Sequence, residues 1–180
     1  MHNKQTSCQQ GFTLIELMIS IAIVAILLSI TIPSFNDFFE KNRVKRAAEE
    51  VYGLVTKARA DSVIHDSDMS LSVSGGANWC VGYATTAGCA CGGATCVVSV
   101  GGVDVTQVVS SLNFRDISIA GDFGGGSTFN GVKGTADPGS VTLSSADNRW
   151  KLSVAVSRVG RVRICAHTDS VTTMGYTACQ

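Results

Sequence analysis

Histidine is scarce in this 180-residue chain, which has only His2, His65 and His167. A histidine-based nucleophile pair or metal centre therefore has few places to form. His167 lies close to Asp169 and Ser170, yet no nucleophile-elbow pattern accompanies them, and a polar C-terminal segment accounts for all three. Both phosphate-cradling glycine fingerprints, G-x-G-x-x-G and G-x-x-x-x-G-K, are missing, and Asp122-Phe123-Gly124 stands without the rest of a kinase. The cysteine spacing C-x8-C-x-C-x4-C from Cys80 to Cys96 lacks the C-x2-C knuckles of common zinc sites. No internal repeat is evident. The formal net charge is zero, so any polyanion would have to be met by local segregation of charge. No catalytic residue, metal or cofactor is expected.

A second absence is positional. No Lys, Arg or Asp occurs between Phe12 and Phe35, a run of about 24 residues, long enough as a helix to cross roughly 30 Å of hydrocarbon. Residues 12–35 are therefore expected to form a transmembrane helix, preceded by a short polar leader, 1–11. A secretory signal peptide would have a shorter apolar core followed by a small-residue cleavage site, whereas here the leader, with His2 and Lys4, ends directly at Gly11. The one charge in the run is Glu16. A carboxylate in lipid costs about 2.5–3.5 kcal/mol near a helix centre, so it requires a partner, a function or a place near the membrane surface.

The stretch Gly11-Phe12-Thr13-Leu14-Ile15-Glu16 resembles the prepilin processing motif. The resemblance implies cleavage after Gly11 by a prepilin peptidase and N-methylation of the new terminal Phe12. It also implies that Glu16 pairs with the free amino terminus of a neighbouring pilin subunit during assembly. The plainer alternative, an anchor whose Glu16 rests among headgroups, leaves the Gly-Phe boundary unexplained.

Removing the leader leaves 169 residues, enough for one long helix and one domain. Cys8 belongs to the leader, and Cys80, Cys89, Cys91, Cys96, Cys165 and Cys179 form an even set suited to an oxidising compartment. Six cysteines allow 15 connectivities. Cys165 with Cys179, and local pairing among the other four, is the preferred framework; a zinc site is the alternative.

Pro33 is expected to bend the helix, which then resumes over 36–65 as an amphipathic half. Val44, Ala47, Ala48, Val51, Leu54, Val55 and Ala58 follow the spacing of one buried face. Lys41, Lys45 and Arg46 could meet phospholipid headgroups, neighbouring subunits or a nucleic acid; headgroups are the most natural, since these residues follow the apolar run closely. Residues 66–180 read as a β-rich domain punctuated by glycine pairs and triplets at Gly75-Gly76, Gly92-Gly93, Gly101-Gly102 and 124–126. Strands are expected near 69–73, 79–84, 95–100, 108–113, 140–144, 150–157 and 161–167. The expected fold class is α+β, a long N-terminal helix packed on an antiparallel β-sheet.

The stretch from Asn148 to Ala166 is the most informative part of that domain. Trp150, Leu152, Val154 and Val156 alternate with Arg149, Lys151, Ser153 and Ala155, so the even positions should face the core. Val162 and Ile164 are the matching core residues of the next strand. A hairpin then requires Val156 opposite Val162 and Ser157 opposite Arg161, leaving Arg158-Val159-Gly160 as a three-residue loop with Gly160 in the left-handed position. This register puts Arg149, Lys151, Arg161 and Arg163 on one outward surface, with Arg158 at the tip. Residues 141–180 carry five basic and two acidic side chains, whereas 61–140 carry two and seven. Clustered arginines suit phosphate, through bidentate hydrogen bonding and counterion release. A solvated strand face is the plain alternative.

The whole layout resembles the GspH/FimT family of minor pilins and pseudopilins. The resemblance rests on the N-terminal motif, on Ala58-Arg59-Ala60-Asp61-Ser62, and on a late hairpin whose turn contains Gly160-Arg161. Gly160-Arg161-Val162-Arg163 is similar to the G-R-x-R signature of FimT-type minor pilins, which bind DNA in natural transformation. The resemblance implies a non-enzymatic pilus subunit, anchored in the inner membrane with its N-terminus cytoplasmic before assembly. The globular domain is then periplasmic or extracellular, and the implied partners are double-stranded DNA, other pilins and the assembly machinery. The alternatives are a GspH-like pseudopilin of type II secretion and a pilus-tip adhesin that uses the region from Cys80 to Cys96. No recognition helix or aromatic stacking platform accompanies the basic face, so sequence-independent contact with backbone phosphates is the expected mode.

Overall fold

The computed structural model describes residues 11–93, 95–123 and 127–179, with the side chains of 30–34 excepted. The glycine turn expected at 124–126 lies outside the described residues. So do the leader up to residue 10 and the side-chain surroundings of the bend expected at Pro33.

Helix α1 runs from Leu14 to Ile64. Its chain belongs to two units, the first ending at Phe38 and the second running from Phe39 to Gln180. In the first unit every side chain from Gly11 to Ser29 is exposed, including Phe12, Leu14, Ile15 and Leu17. Among the described residues no helix is long and apolar enough to cross a membrane. The expected span over 12–35 reaches into side chains that are not described.

In the second unit the helical stripe is buried as its spacing predicts. Val44, Ala47, Ala48, Val51, Val55 and Ala58 are fully buried and Leu54 nearly so. They share one core with three groups of antiparallel strands, the α+β arrangement expected. The first sheet has order β5-β2-β1-β7, from β1 (Met69–Ser74), β2 (Cys80–Ala84), β5 (Val108–Ser110) and β7 (Thr128–Phe129). The second has order β10-β9-β8-β6, from β6 (Ile117–Asp122), β8 (Gly139–Ser145), β9 (Lys151–Val156) and β10 (Val162–Ala166). A ribbon of β3 (Val97–Val100) and β4 (Val103–Thr106) completes the set. Burying a side chain such as Leu143, Leu152 or Val154 stabilises by about 1.5–3 kcal/mol each.

Polar contacts fix α1 on the sheets. The Tyr83 hydroxyl donates to the Asp61 carboxylate at 2.5 Å, and the Tyr176 hydroxyl to Glu49 at 2.8 Å. Lys41 Nζ lies 4.7 Å from the centre of the Trp150 ring and Lys45 Nζ 5.5 Å from that of Tyr176. Their charges therefore rest on aromatic faces within the unit. Arg46 is exposed.

The cysteines pair as Cys80–Cys91, Cys89–Cys96 and Cys165–Cys179. This is the local pairing expected. In the chain-entropy model a loop of about 15 residues gains about 3 kcal/mol from such a crosslink, which applies to the 14-residue separation of Cys165 and Cys179.

The β9–β10 hairpin is held at its turn. Ser157 N–H donates to Arg161 O at 3.0 Å and Gly160 N–H to Ser157 O at 2.8 Å, closing the three-residue loop. Gly160 has φ +74° and is buried; a methyl group in place of its hydrogen would lie 2.0 Å from Gly134 O and 3.1 Å from Arg59 Nε. Beside it Ala136 N–H donates to Arg158 O at 3.1 Å. The turn thus packs backbone to backbone on the 130–136 loop and against the Arg59 side chain from the last turns of α1.

Two outcomes follow from this packing. Gly160→Ala combines a left-handed strain of about 1 kcal/mol with a clash against fixed backbone, so a loss of at least about 2 kcal/mol is expected, near 4–8 °C in melting temperature. Gly88, at φ +73° with open space around it, is the control, and Gly88→Ala should lose only the strain. Thermal melts of the full chain in nonionic detergent, followed by circular dichroism, compare the two; equal losses would remove the clash. Alkaline titration tests the tyrosine contacts. Burial, then the Asp61 hydrogen bond and charge, push the Tyr83 phenol far above its ordinary 10.0, and burial with Glu49 pushes Tyr176 up to about 12. Both are raised, so their contribution is intact below pH 10 and is lost as pH climbs through 12 and beyond. Phenolate absorbance should show Tyr83 and Tyr176 ionising only above pH 10 in the folded chain and near 10 once it is denatured.

Candidate nucleic-acid interface

The hairpin register is the one its alternation demands: Val162 pairs with Val156, Arg163 with Ala155, Ile164 with Val154 and Cys165 with Ser153. Trp150, Leu152, Val154 and Val156 are buried in the core, so Lys151, Ser153, Ala155 and Ser157 share the outer face with Arg161, Arg163, Cys165 and His167. Arg161 and Arg163 are both exposed there, as is Arg158 in the turn. Two residues along a strand separate their Cα atoms by about 6.6 Å. Arg161 N–H donates to Ser157 Oγ at 3.1 Å, fixing the backbone where the face begins.

The other two basic residues do not join them. Lys151 lies four residues from Ala155, the partner of Arg163, or about 13 Å along the sheet. Lys151 is half-buried, and its N–H donates to Ser170 Oγ at 3.2 Å. Arg149 precedes β9 and turns back on its own loop, with Nε 3.7 Å from the Asp147 carboxylate and the guanidinium 5.3 Å from the centre of the Trp150 ring. Asp147 answers this contact. Its slight burial acts to raise the carboxyl, but hydrogen bonds from Ser145 and the Arg149 backbone, with the Arg149 charge, hold it below the ordinary carboxylate range. The outward cluster is therefore Arg158, Arg161 and Arg163 at the turn, with Arg149 and Lys151 at the opposite end of the hairpin. The C-terminal segment divides the two ends. Ala166 N–H donates to Thr177 O, Cys179 N–H donates to Ala166 O, and the Cys165–Cys179 disulfide lies on this segment, covering Ser153 and Cys165.

Arg158 also lines a cavity of about 520 Å³ with Asp68, Lys133 and Asp137, so its charge is offset by nearby carboxylates on that side. Arg59 and Asp61 of the family-like segment support the site indirectly, one against Gly160 and Gly134 and the other bonded to Tyr83. The signal for both in the sequence is a polar pair at the end of a buried helical stripe. His167 and Asp169 form a local turn, with Asp169 N–H donating to His167 Nδ1 at 3.2 Å, while the Ser170 hydroxyl donates to Thr172 O. Ser170 is thus not presented to the imidazole as a nucleophile.

At the amino end Gly11 and Phe12 are exposed ahead of the helix. Glu16 N–H donates to Thr13 Oγ1 at 3.3 Å, and Glu16 lies in the first helical turn. Thr13-Leu14-Ile15-Glu16 is a capping-box sequence in which a first-turn carboxylate also meets the positive end of the helix dipole. Glu16 therefore has a favourable local setting within its own chain.

Residues 6–32 match the prokaryotic N-terminal methylation motif, and residues 47–160 match Type II transport protein GspH. A fimbrial protein of Pseudomonas aeruginosa is 50% identical over 52 residues, 29% of this chain and 34% of that protein. The type IV major fimbrial protein FimA of Dichelobacter nodosus is 42% identical over 62 residues, 34% of this chain and 38% of that one. The matches thus span little more than a third of these relatives' length. The crystal structure of the type IV minor pilin FimU of Pseudomonas aeruginosa superposes with a TM-score of 0.50 at 15% identity, covering 71% of this chain and 91% of that one, a likeness of fold. With well over half of its residues, from the buried stripe of α1 to the glycine of the hairpin turn, inside one family pattern, the chain belongs to the GspH family.

Proposed function

We propose that this protein is a minor type IV pilin that binds extracellular double-stranded DNA without reading its sequence, for uptake in natural transformation. Its subunit character is supported by the methylation motif and the GspH match. In this reading the chain is cleaved between Gly11 and Phe12, methylated on Phe12 and held in the inner membrane by 12–35. It then joins other pilins with Glu16 against a neighbour's amino terminus. The exposed apolar side chains of α1 from Leu14 to Leu28 become the packing surface of the filament.

The observation that carries DNA binding is the pair Arg161 and Arg163, exposed on one face beyond a turn anchored through Gly160. A guanidinium held on a rigid strand loses less freedom on meeting phosphate than one on a mobile loop, and two neighbouring ones act together. With Arg158 they make about three phosphate contacts, so a single subunit binds weakly with a log-log salt slope of about −3. Several subunits on one filament raise avidity, and retraction draws the bound duplex toward the cell. A second reading, a GspH-like pseudopilin of type II secretion without DNA contact, is favoured by the description of the family match over 47–160.

Duplex binding by the full chain in nonionic detergent, measured across a salt titration, separates these readings. Arg161→Gln with Arg163→Gln should reduce affinity about tenfold or more at low salt and shallow the slope by about two. Arg149→Gln, paired to Asp147 at the far end, should change little. Unchanged affinity in the double variant at an unchanged melting temperature refutes the assignment, and absence of binding by the wild type at low salt leaves the secretion reading.

A further inference from the structure

The ribbon of β3 and β4 carries a valine face that opens to solvent along its length. Its strands turn at Gly101-Gly102, where φ is +60° and +84°, and pair Val97 with Thr106, Val98 with Val105, Ser99 with Asp104 and Val100 with Val103. Opposed residues share a face, so Val98, Val105, Val100 and Val103 line one side. Val98 is buried at the base, whereas Val105 is 40%, Val100 47% and Val103 64% exposed toward the tip. The outer edge of β4 is open as well: all four of its residues are exposed, and among the described residues no strand pairs with it. Lysine or proline commonly guards such an edge, and β4 has neither. Its one charge, Asp104, accepts the Ser99 hydroxyl across the ribbon. A two-residue turn makes Val100 and Val103 a hydrogen-bonded pair, and alternation makes Val98 and Val105 the next. Gln107 N–H donates to Cys96 O at 2.8 Å, two residues further on and in the same phase. Asp104 and Thr106 therefore aim their backbone N–H and C=O outward.

We propose that β4 pairs antiparallel with β4 of a second copy of this chain, about a two-fold axis that passes through Val105. Asp104 then faces the partner's Thr106, and Thr106 the partner's Asp104, so the backbone groups that point outward bond to one another. Val105 faces its own copy at the intervening non-hydrogen-bonded position. The neighbouring two-fold register that uses the same outward groups sets Asp104 against the partner's Asp104, where like charges repel, so charge selects the Val105 axis. A second copy is the occupant that this edge and this face fit together. The two-fold keeps both valine faces on one side of the joined sheet and runs the ribbons in opposite directions. The exposed tip of each, Val100 and Val103, thereby lies beside the base of the other, where the valine face is already covered at Val98. The pairing does not depend on DNA binding, although one dimer carries two β9–β10 turns.

Cysteine trapping tests the pairing on the purified full chain, in nonionic detergent with micelles in large excess over chains and with Cys8→Ser removing the leader thiol. In the paired register the two Val105 Cα atoms lie about 4.5 Å apart, within disulfide reach. Val103 and its copy are offset by four residues, about 13 Å along the strands. Under mild oxidation Val105→Cys should form a covalent dimer about tenfold faster than Val103→Cys, although Val103 is the more exposed of the two and would react first by random collision. A second variant reads the register through charge. Thr106→Asp, added to the Val105→Cys chain, sets a carboxylate against the partner's Asp104 and should slow crosslinking severalfold at an unchanged melting temperature, whereas Thr106→Lys should not slow it. If Val105→Cys stays monomeric or crosslinks no faster than Val103→Cys, the second-copy pairing is refuted. If Val105→Cys crosslinks fast but Thr106→Asp leaves the rate unchanged, the proposed register is refuted.

Discussion

Two glycine backbones in contact, Gly160 in the hairpin turn and Gly134 in the loop beneath it, set the position of everything on the second sheet. Their approach leaves no room for a side chain at Gly160, with the Arg59 guanidinium closing the third side. Contacts between backbones are stiffer than contacts between side chains, because a carbonyl has no rotamer into which it can retreat. The turn is thereby tied to the carboxyl end of the helix's buried stripe. The register from Val156–Val162 to Leu152–Ala166 then carries that position down both strands.

The distribution of charge follows from the same packing. Net charge is zero, yet many of the cations are engaged within the folded unit. Lys41 and Lys45 rest on aromatic rings, Arg43 pairs with Asp116, Lys57 donates to Gln107 and Arg149 pairs with Asp147. Such surface pairs contribute little stability, about 0–1 kcal/mol each. Their effect is on placement: basic character on the hairpin is concentrated at its turn and compensated at its other end.

What the sequence disclosed tracks how local the determinant is. The helical stripe from Val44 to Ala58, the hairpin register and the Gly160 turn are each written in spacing of two or of three to four residues, and each is found where the spacing puts it. Local cysteine pairing was legible for the same reason. Division into two sheets was not, because which strands pair across long separations depends on the whole core. β6 is weakly marked although Ile117 and Ile119 alternate, since it follows Arg115-Asp116 without a glycine or proline at its start. The β4 strand has no buried face to produce a pattern, and β7 is two residues long. The five-residue basic patch resolved into three and two because alternation gives the face of a side chain but neither its distance along the strand nor the ion pair that turns Arg149 back on its loop.

The two disulfides between β2 and β3 are interleaved, Cys80 with Cys91 and Cys89 with Cys96, and this bears on mechanics. A chain pulled from both sides would, without them, yield the stretch from Cys80 to Cys96 as slack, about 55 Å at 3.3–3.6 Å per extended residue. With them, tension passes from Cys80 through sulfur to Cys91, along the short path to Cys89 and through sulfur again to Cys96. The loop cannot lengthen under load, and force applied to one side reaches the other without being absorbed by unravelling.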